Sequence, residues 1–317
     1  MNKIVFLNIE KLNFDENLDF SALTETLSIT KYAHSSEKEI LERVEGHNVV
    51  ITKELPVGRE LIEKFPPCVK LICEAGTGYN NIDVAAAREK GIAVCNVPGY
   101  SAAAVAQLTI ALMLNLASSL SLQQVMVKQK NFDNFTRHLQ VPHFEVKDKT
   151  FGVIGAGAIA QKVMKIALAL EMKVLVYNRS VKDLGADIKF VSLEELLQNS
   201  DFVSINCPLA PNTKHLINID KLKLMKKSSY LINAGRGSIV NEADLITALK
   251  EGIIAGAGLD VQEVEPPSLD NPLFYMDNVI LTPHIGWQCL ESRQRLIGII
   301  TSNIKSYFEG KAVNIVN

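Results

Sequence analysis

The sequence predicts an α/β protein built from two doubly wound, parallel-sheet domains of Rossmann-like architecture. Three observations predict it. At 317 residues the chain is too long for one ordinary domain and suits two. Short β-branched runs recur without polar alternation, as expected of parallel strands covered on both faces. Helical segments with start and stop signals stand between these runs, so the order is strand–helix repeated.

The first third offers four strand candidates: residues 4–8 (IVFLN), 48–52 (NVVIT), 70–75 (KLICEA) and 92–97 (IAVCNV). After residues 98–99 an Ala- and Leu-rich stretch, 101–119, reads as one long helix. It carries more apolar surface than one helix face needs, which predicts service at a two-fold dimer interface. A polar, irregular surface segment is expected over 131–149. Strand candidates resume at 151–155 (FGVIG), 173–178 (KVLVYN), 202–207 (FVSINC), 229–234 (SYLINA), 255–261 (AGAGLDV) and 278–282 (NVILT). A helix is expected over 161–170. Ser192 to Glu195 and Asn241 to Asp244 resemble capping boxes, the second with Asp in place of Glu or Gln. The helix Glu242–Lys250 stops at Gly252, and a last helix, Leu290–Phe308, stops at Gly310.

Composition narrows the function. With 47% hydrophobic and 21% charged residues the chain suits a globular protein with a large core, not low-complexity disorder. Thirty-three basic against 35 acidic residues leave −2, so no basic field invites nucleic acid or an anionic membrane. A small-molecule partner is expected. The five cysteines, Cys68, Cys73, Cys95, Cys207 and Cys289, fit neither a disulfide framework nor a zinc spacing, which predicts a reducing cytoplasm and no metal. The apolar run at residues 4–7 is shorter than the ~7–15 residues of a signal-peptide core. The longest apolar stretch, 108–117, is interrupted by Thr109 and Asn115 and falls below the ~18 residues of a spanning helix.

Residues 151–160 read FGVIGAGAIA, which matches G-x-G-x-x-G/A between a strand signal and a helix signal. Gly155 suits the tight turn. Gly157 lets backbone approach a pyrophosphate on the helix N-terminus. The next strand ends 23 residues after Gly155, where an acidic residue ordinarily bonds the ribose hydroxyls of NAD. Here stand Asn178, Arg179 and Ser180. The missing carboxylate removes a repulsion and Arg179 adds a cation, which favours NADP(H) over NAD(H). In the plainer reading Arg179 is solvated and Asn178 still bonds the ribose.

Three further segments follow strands. Asn233-Ala234-Gly235-Arg236-Gly237 sets an arginine between glycines, free to present its planar fork to a carboxylate. An acidic turn runs from Asp260 through Glu263 and Glu265 to Pro267, and Thr282-Pro283-His284-Ile285-Gly286-Trp287 holds a histidine. Taken singly, these read as a surface arginine, a solvated loop and a structural histidine. Together with a dinucleotide turn they make chemical sense. Hydride addition to a 2-keto acid needs a cation for the carboxylate and a proton donor for the carbonyl oxygen. A carboxylate beside the donor histidine keeps it protonated. Arg236, His284 and Glu265 fill those roles.

These segments, in this order, resemble the D-isomer-specific 2-hydroxyacid dehydrogenases over nearly the whole chain. The resemblance also rests on Gly76-Thr77-Gly78-Tyr79-Asn80-Asn81-Ile82-Asp83 and Cys95-Asn96-Val97-Pro98-Gly99-Tyr100-Ser101. Val105-Ala106-Gln107, His284 to Trp287 and Arg293 to Leu296 are most similar to the glycerate dehydrogenase, or hydroxypyruvate reductase, branch. The resemblance implies a substrate domain made of residues 1–99 with 285–317, and a nucleotide-binding Rossmann domain, 100–284, inserted between them. It implies Arg236, Glu265 and His284 as the catalytic set, with the glutamate 29 positions after the arginine, hence Glu265 rather than Glu263. It places the cofactor on Gly155, Gly157, Ala158, Ile159, Cys207, Pro208, Thr213, Ala234, Asp260 and Gly286, beside Asn178, Arg179 and Ser180. It places the substrate on Thr77, Gly78, Arg236 and His284. Ala160 and Asn178 depart from the family pattern, and the second unsettles an NAD preference.

The expected reaction is therefore NAD(P)H-dependent reduction of a small 2-keto acid, hydroxypyruvate or glyoxylate foremost, and its reverse, by a cytoplasmic homodimer. Two rivals stay open at this point: a reductase for pyruvate or a branched or aromatic keto acid, and a nucleotide-sensing, corepressor-like binding protein.

Overall fold

The structure, a computed structural model, describes residues 2–25, 27–181 and 183–317. It divides into two compact units: Met1–Ser101 with Trp287–Asn317, and Ala102–Gly286. In the first unit the strands are β1 (Lys3–Phe6), β2 (Ser28–Lys31), β3 (Val49–Thr52), β4 (Leu71–Glu74) and β5 (Ala93–Cys95). They form a parallel sheet in the order β2-β1-β3-β4-β5. Every residue of β3 and β4 is buried, which explains their unbroken apolar runs. Helix Leu290–Phe308 lays Leu296, Ile297, Ile300 and Ile304 on one face of this sheet. Its spacing of three and four residues matches one helical stripe.

The second unit holds β6 (Thr150–Ile154), β7 (Lys173–Tyr177), β8 (Ile188–Phe190), β9 (Phe202–Ile205), β10 (Tyr230–Asn233), β11 (Gly256–Leu259) and β12 (Val279–Leu281). Their order is β12-β11-β10-β9-β6-β7-β8, again wholly parallel. Chain order reverses at β6, between β9 and β7. Such a switch point opens a crevice beyond the carboxyl ends of the strands, where α/β sheets bind ligands. Helix Ala158–Ala169 follows β6 and buries Ala160, Val163, Met164 and Ala167 against the sheet.

All ten strand candidates coincide with strands. The two not anticipated, β2 and β8, are sheet edges of four and three residues, half-exposed and carrying Lys31 and Lys189. Edge strands need no apolar run, and lysines there discourage stray pairing. The long helix Ala102–Ser118 forms, and part of its apolar surface has an internal partner. Nine of its residues are buried, among them Ala102, Val105 and Ile110. One side meets helix Ala158–Ala169, and another lies so close on β11 that a Cβ at Gly258 would stand 3.1 Å from Leu112 Cβ. On the remaining side Ala103 and Ala111 are exposed and Leu108 and Leu114 half-buried.

The helix signals act in part. Ser192 Oγ accepts from the Glu195 amide at 3.1 Å and Asn241 Oδ1 from the Asp244 amide at 3.1 Å. The reciprocal bonds are replaced: Glu195 pairs with Lys189 at 2.9 Å, and Asp244 accepts from the Ile219 amide at 2.9 Å. Gly252 and Gly310 close their helices at φ +63° and +73°. Helix Ala158–Ala169 starts three residues earlier than expected, with Gly157 as its N-cap. The segment 131–149 holds one short helix, Asp133–Thr136. No single helix among the described residues is long and apolar enough to cross a membrane.

Candidate active site

The glycine turn is explained residue by residue. Gly155 leaves β6 at φ +102°, and its amide donates to the Tyr177 carbonyl at 2.7 Å. A Cβ there would stand 2.8 Å from the Asn206 carbonyl oxygen, so only glycine fits. At Gly157 a Cβ would meet nothing within 4 Å. That open space adjoins the unpaired N–H groups of a 12-residue helix, the arrangement that receives a pyrophosphate. Ala158 and Ile159 form the helix's first turn. Ala160, in place of the third glycine, is fully buried against the sheet, so its methyl is accommodated. These residues fit a dinucleotide.

Around the turn, Asn178 follows β7 and its Nδ2 donates to the Ser180 carbonyl at 2.7 Å. Arg179 and Ser180 are exposed. After β9 comes the loop of Cys207 and Pro208. Thr213 Oγ1 closes it by donating to the Pro208 carbonyl at 2.8 Å and accepting from the Ala210 amide at 2.7 Å. Burial pushes the Cys207 thiol up to about 11, so it stays protonated and unreactive near neutrality.

The arginine, acidic-turn and histidine segments stand at the carboxyl ends of β10, β11 and β12, three neighbours in one sheet. After β10, buried Asn233 folds the turn from within. Its Nδ2 donates to the Arg236 carbonyl at 3.0 Å and its Oδ1 accepts from the Gly235 amide at 3.1 Å. Ala234 and Arg236 are half-buried, and Arg236 Nη1 donates to the Gly235 carbonyl at 2.9 Å. A Cβ on Gly237 would sit 1.8 Å from the Gln262 carbonyl oxygen. The arginine turn therefore rests backbone to backbone on the acidic turn.

Asp260, 2% exposed, opens that acidic turn and organises the histidine segment. Its Oδ1 accepts from Thr282 Oγ1 at 2.6 Å and the Ile285 amide at 2.8 Å, and its Oδ2 from the Gly286 amide at 2.9 Å. Its carbonyl accepts from the His284 amide at 2.9 Å. Burial raises its carboxyl above the ordinary value, against the opposing bonds from Thr282, Gly286 and Ile285 and the nearby His284 charge. Both carboxylate oxygens are thus engaged within the chain.

His284 itself sits at φ +53°, a left-handed backbone that costs a β-substituted residue on the order of 1 kcal/mol. Strain of this kind persists where surrounding bonds over-determine it, and here Asp260 supplies them. The ring's Nδ1 lies 2.8 Å from Glu265 Oε2, and Glu265 Oε1 accepts from the Gln262 amide at 3.0 Å. Burial pushes the Glu265 carboxyl up, but the His284 bond, the Gln262 amide and the charges of His284 and Arg236 outweigh it. The net direction is downward, so Glu265 stays ionised at and below neutral pH.

The structure thus brings Arg236, Asp260, Glu265, His284 and Gly286 together in the second unit. Thr77 and Gly78 belong to the first unit, in the loop after β4. There Thr77 Oγ1 donates to the Val97 carbonyl at 2.9 Å, and its own carbonyl accepts from Asn96 Nδ2 at 2.7 Å. Sequence reasoning missed Asn233, Thr282 and the pair His215–Glu263, whose partners lie 48 positions apart with no spacing signal.

Comparison with known proteins supplies the chemistry's setting. The family model for the D-isomer specific 2-hydroxyacid dehydrogenase, NAD binding domain, matches residues 110–286. The chain is 37% identical to a hydroxypyruvate reductase of Blautia hydrogenotrophica, over 99% of both chains. It is 38% identical to a glyoxylate reductase of Thermococcus litoralis, over 88% of this chain and 86% of that one. Among solved structures it resembles an acyclic imino acid reductase in complex with NADPH and D-Arg. That likeness has a TM-score of 0.88 at 29% identity, covering 99% of this chain and 100% of the other.

Proposed function

Because the chain belongs to the D-isomer-specific 2-hydroxyacid dehydrogenase family, an oxidoreductase family with an NAD-binding domain, we propose that it reduces a small 2-keto acid, hydroxypyruvate or glyoxylate foremost, to the D-2-hydroxy acid. One observation carries the reading: the 2.8 Å pair of His284 and Glu265, after β12 and β11, stands at the same sheet end as Arg236, after β10. A reduced nicotinamide, when bound, supplies hydride. The protein's part is to bind, orient and protonate. Arg236 takes the substrate carboxylate in its planar fork, as an always-charged donor pair. Glu265 accepts from Nδ1–H, which fixes the ring's tautomer and orientation. Nε2 then carries the proton that reaches the carbonyl oxygen, and recovers it in the oxidative direction. Asp260 keeps the strained His284 backbone in place.

Initial rates of NADPH or NADH oxidation with a panel of 2-keto acids test the reading. Hydroxypyruvate or glyoxylate should give the highest kcat/KM. A clear preference for pyruvate or a branched or aromatic acid would overturn the substrate assignment, and no turnover with any acid would overturn the reaction.

We further assign NADP(H) as the preferred cofactor. The support is exposed Arg179 and Ser180 at the end of β7, with Asn178 where a carboxylate would repel a 2′-phosphate. Wild-type kcat/KM should be higher with NADPH, and Arg179→Ala should erode that preference by roughly 10- to 150-fold, the worth of ~1.5–3 kcal/mol. Equal efficiency with both cofactors, unchanged in the variant, would contradict it.

The homodimer is also proposed, on the exposed side of helix Ala102–Ser118, which carries Ala103 and Ala111, and on the helix that follows. Helix Leu120–Lys128 buries none of its residues, and Leu120, Phe132, Phe135 and Leu139 are 56%, 52%, 71% and 70% exposed. A second copy covering these side chains would remove them from water. Light scattering at micromolar concentration should give a dimer mass; a monomer mass would refute it.

A further inference from the structure

His215 and Glu263 stand outside the proposed proton path, yet they tie together the loop 207–213, the Arg236 turn and the Glu265 turn. His215 Nε2 lies 2.6 Å from Glu263 Oε1. The Oε2 of the same carboxylate accepts from the Glu242 amide at 3.1 Å, and the Glu263 amide donates to Glu242 Oε2 at 3.0 Å. Glu242 is steadied in turn by Asn271 Nδ2, at 2.8 Å from its Oε1. His215 ends the loop closed by Thr213, takes a left-handed backbone at φ +51°, and its amide donates to the Ser238 carbonyl at 2.8 Å. Ser238 lies two residues after Arg236. Glu263 lies two residues before Glu265, on the turn against which Gly237 is pressed.

We propose that His215 and Glu263 are a positioning pair, holding the Arg236 turn, the Glu265 turn and the loop 207–213 in the one arrangement that serves substrate and cofactor. The proposal rests on the reaction inferred above. The chemistry demands a carboxylate at 263. Both of its oxygens face donors, the imidazole N–H and the Glu242 N–H, so an amide could satisfy only one and would aim its own N–H at the other. Burial pushes the Glu263 carboxyl up, but the His215 and Glu242 bonds more than offset this and hold it below the ordinary range. The imidazole supplies a donor at a fixed reach. Glutamine can place its Nε2 at much the same distance, and alanine cannot.

Four variants test the pair in the full-length protein: His215→Ala, His215→Gln, Glu263→Gln and the double His215→Ala/Glu263→Gln. Three readouts are needed: thermal midpoint, Kd for NADPH from nicotinamide fluorescence, and kcat/KM for hydroxypyruvate. His215→Ala and Glu263→Gln should each lower kcat/KM about ten-fold in fully folded protein, and His215→Ala should raise the NADPH Kd several-fold. His215→Gln should recover most of both losses, and the double variant should be little worse than the worse single one, as for two halves of one contact. Losses that add, or values within about two-fold of wild type in folded His215→Ala, would overturn the pairing. Should His215→Ala not fold, Glu263→Gln decides: wild-type efficiency there overturns the proposal. If the wild type turns over no 2-keto acid, the reaction reading fails by itself. The pair is then judged on the Kd alone, a rise supporting it and no change refuting it.

Discussion

His284→Ala should lower kcat for keto-acid reduction by roughly 10²–10⁴-fold, the usual worth of a positioned general acid. The NADPH Kd should stay near the wild-type value, because the substitution leaves the glycine turn after β6 unchanged. The loss should appear at every pH, since no other group replaces the donor. Alanine also inherits a left-handed backbone at φ +53°. His284→Asn is the control: asparagine tolerates that conformation better but supplies no comparable acid, so it should retain stability and lack turnover. Near-normal turnover in either variant would mean that His284 is not the proton donor.

Arg236→Ala should cost kcat/KM roughly 10²–10⁴-fold, as expected when two charge-assisted bonds of ~1.5–3 kcal/mol each are lost. The loss should fall on KM for the keto acid as well as on kcat, because the fork both binds and aligns. Arg236→Lys should recover part of it, since a point charge replaces a planar, bidentate one. The turn's own geometry survives both changes, being made by Asn233 through the backbone at 235 and 236. A variant with unchanged KM for hydroxypyruvate would remove Arg236 from the substrate site.

Much of this architecture is legible in the sequence because buried parallel strands must be apolar along their whole length. Candidates such as 48–52 and 70–75 have no polar face to obscure them. Where burial is partial the signal fades, and β2 and β8 pass unseen. Glycines speak clearly when a left-handed turn or a backbone contact requires them, as at Gly155 and Gly252. They say less where the contact is made by a distant segment: only the fold reveals that Gly237 rests on Gln262. The residues proposed to carry the chemistry follow strand ends and could be named. The residues that hold them, Asn233, Asp260 through Thr282, and His215 with Glu263, find partners by sheet order rather than by spacing. The helix Ala102–Ser118 shows the converse limit. Its apolar excess is real, but sequence alone could not say how much of it a neighbouring helix and strand take up.

The proton path is tested most directly by the pH dependence of reduction in Glu265→Gln. Glu265 is held below the ordinary carboxylate range despite its burial, so it is negatively charged across the working range. Its stabilisation of the fold is present above that range and lost as pH falls through its lowered value. In reduction the imidazolium is the reactive form, and the rate must fall as alkali removes its proton. Glutamine removes the negative charge that faces the ring at 2.8 Å, so the alkaline limb should move to lower pH while appreciable activity remains in acid. That displacement of kcat/KM for hydroxypyruvate, measured against wild type under the same conditions, is the predicted result. A profile scaled down uniformly, with its alkaline limb unmoved, would contradict the account and leave Glu265 as an orienting contact alone.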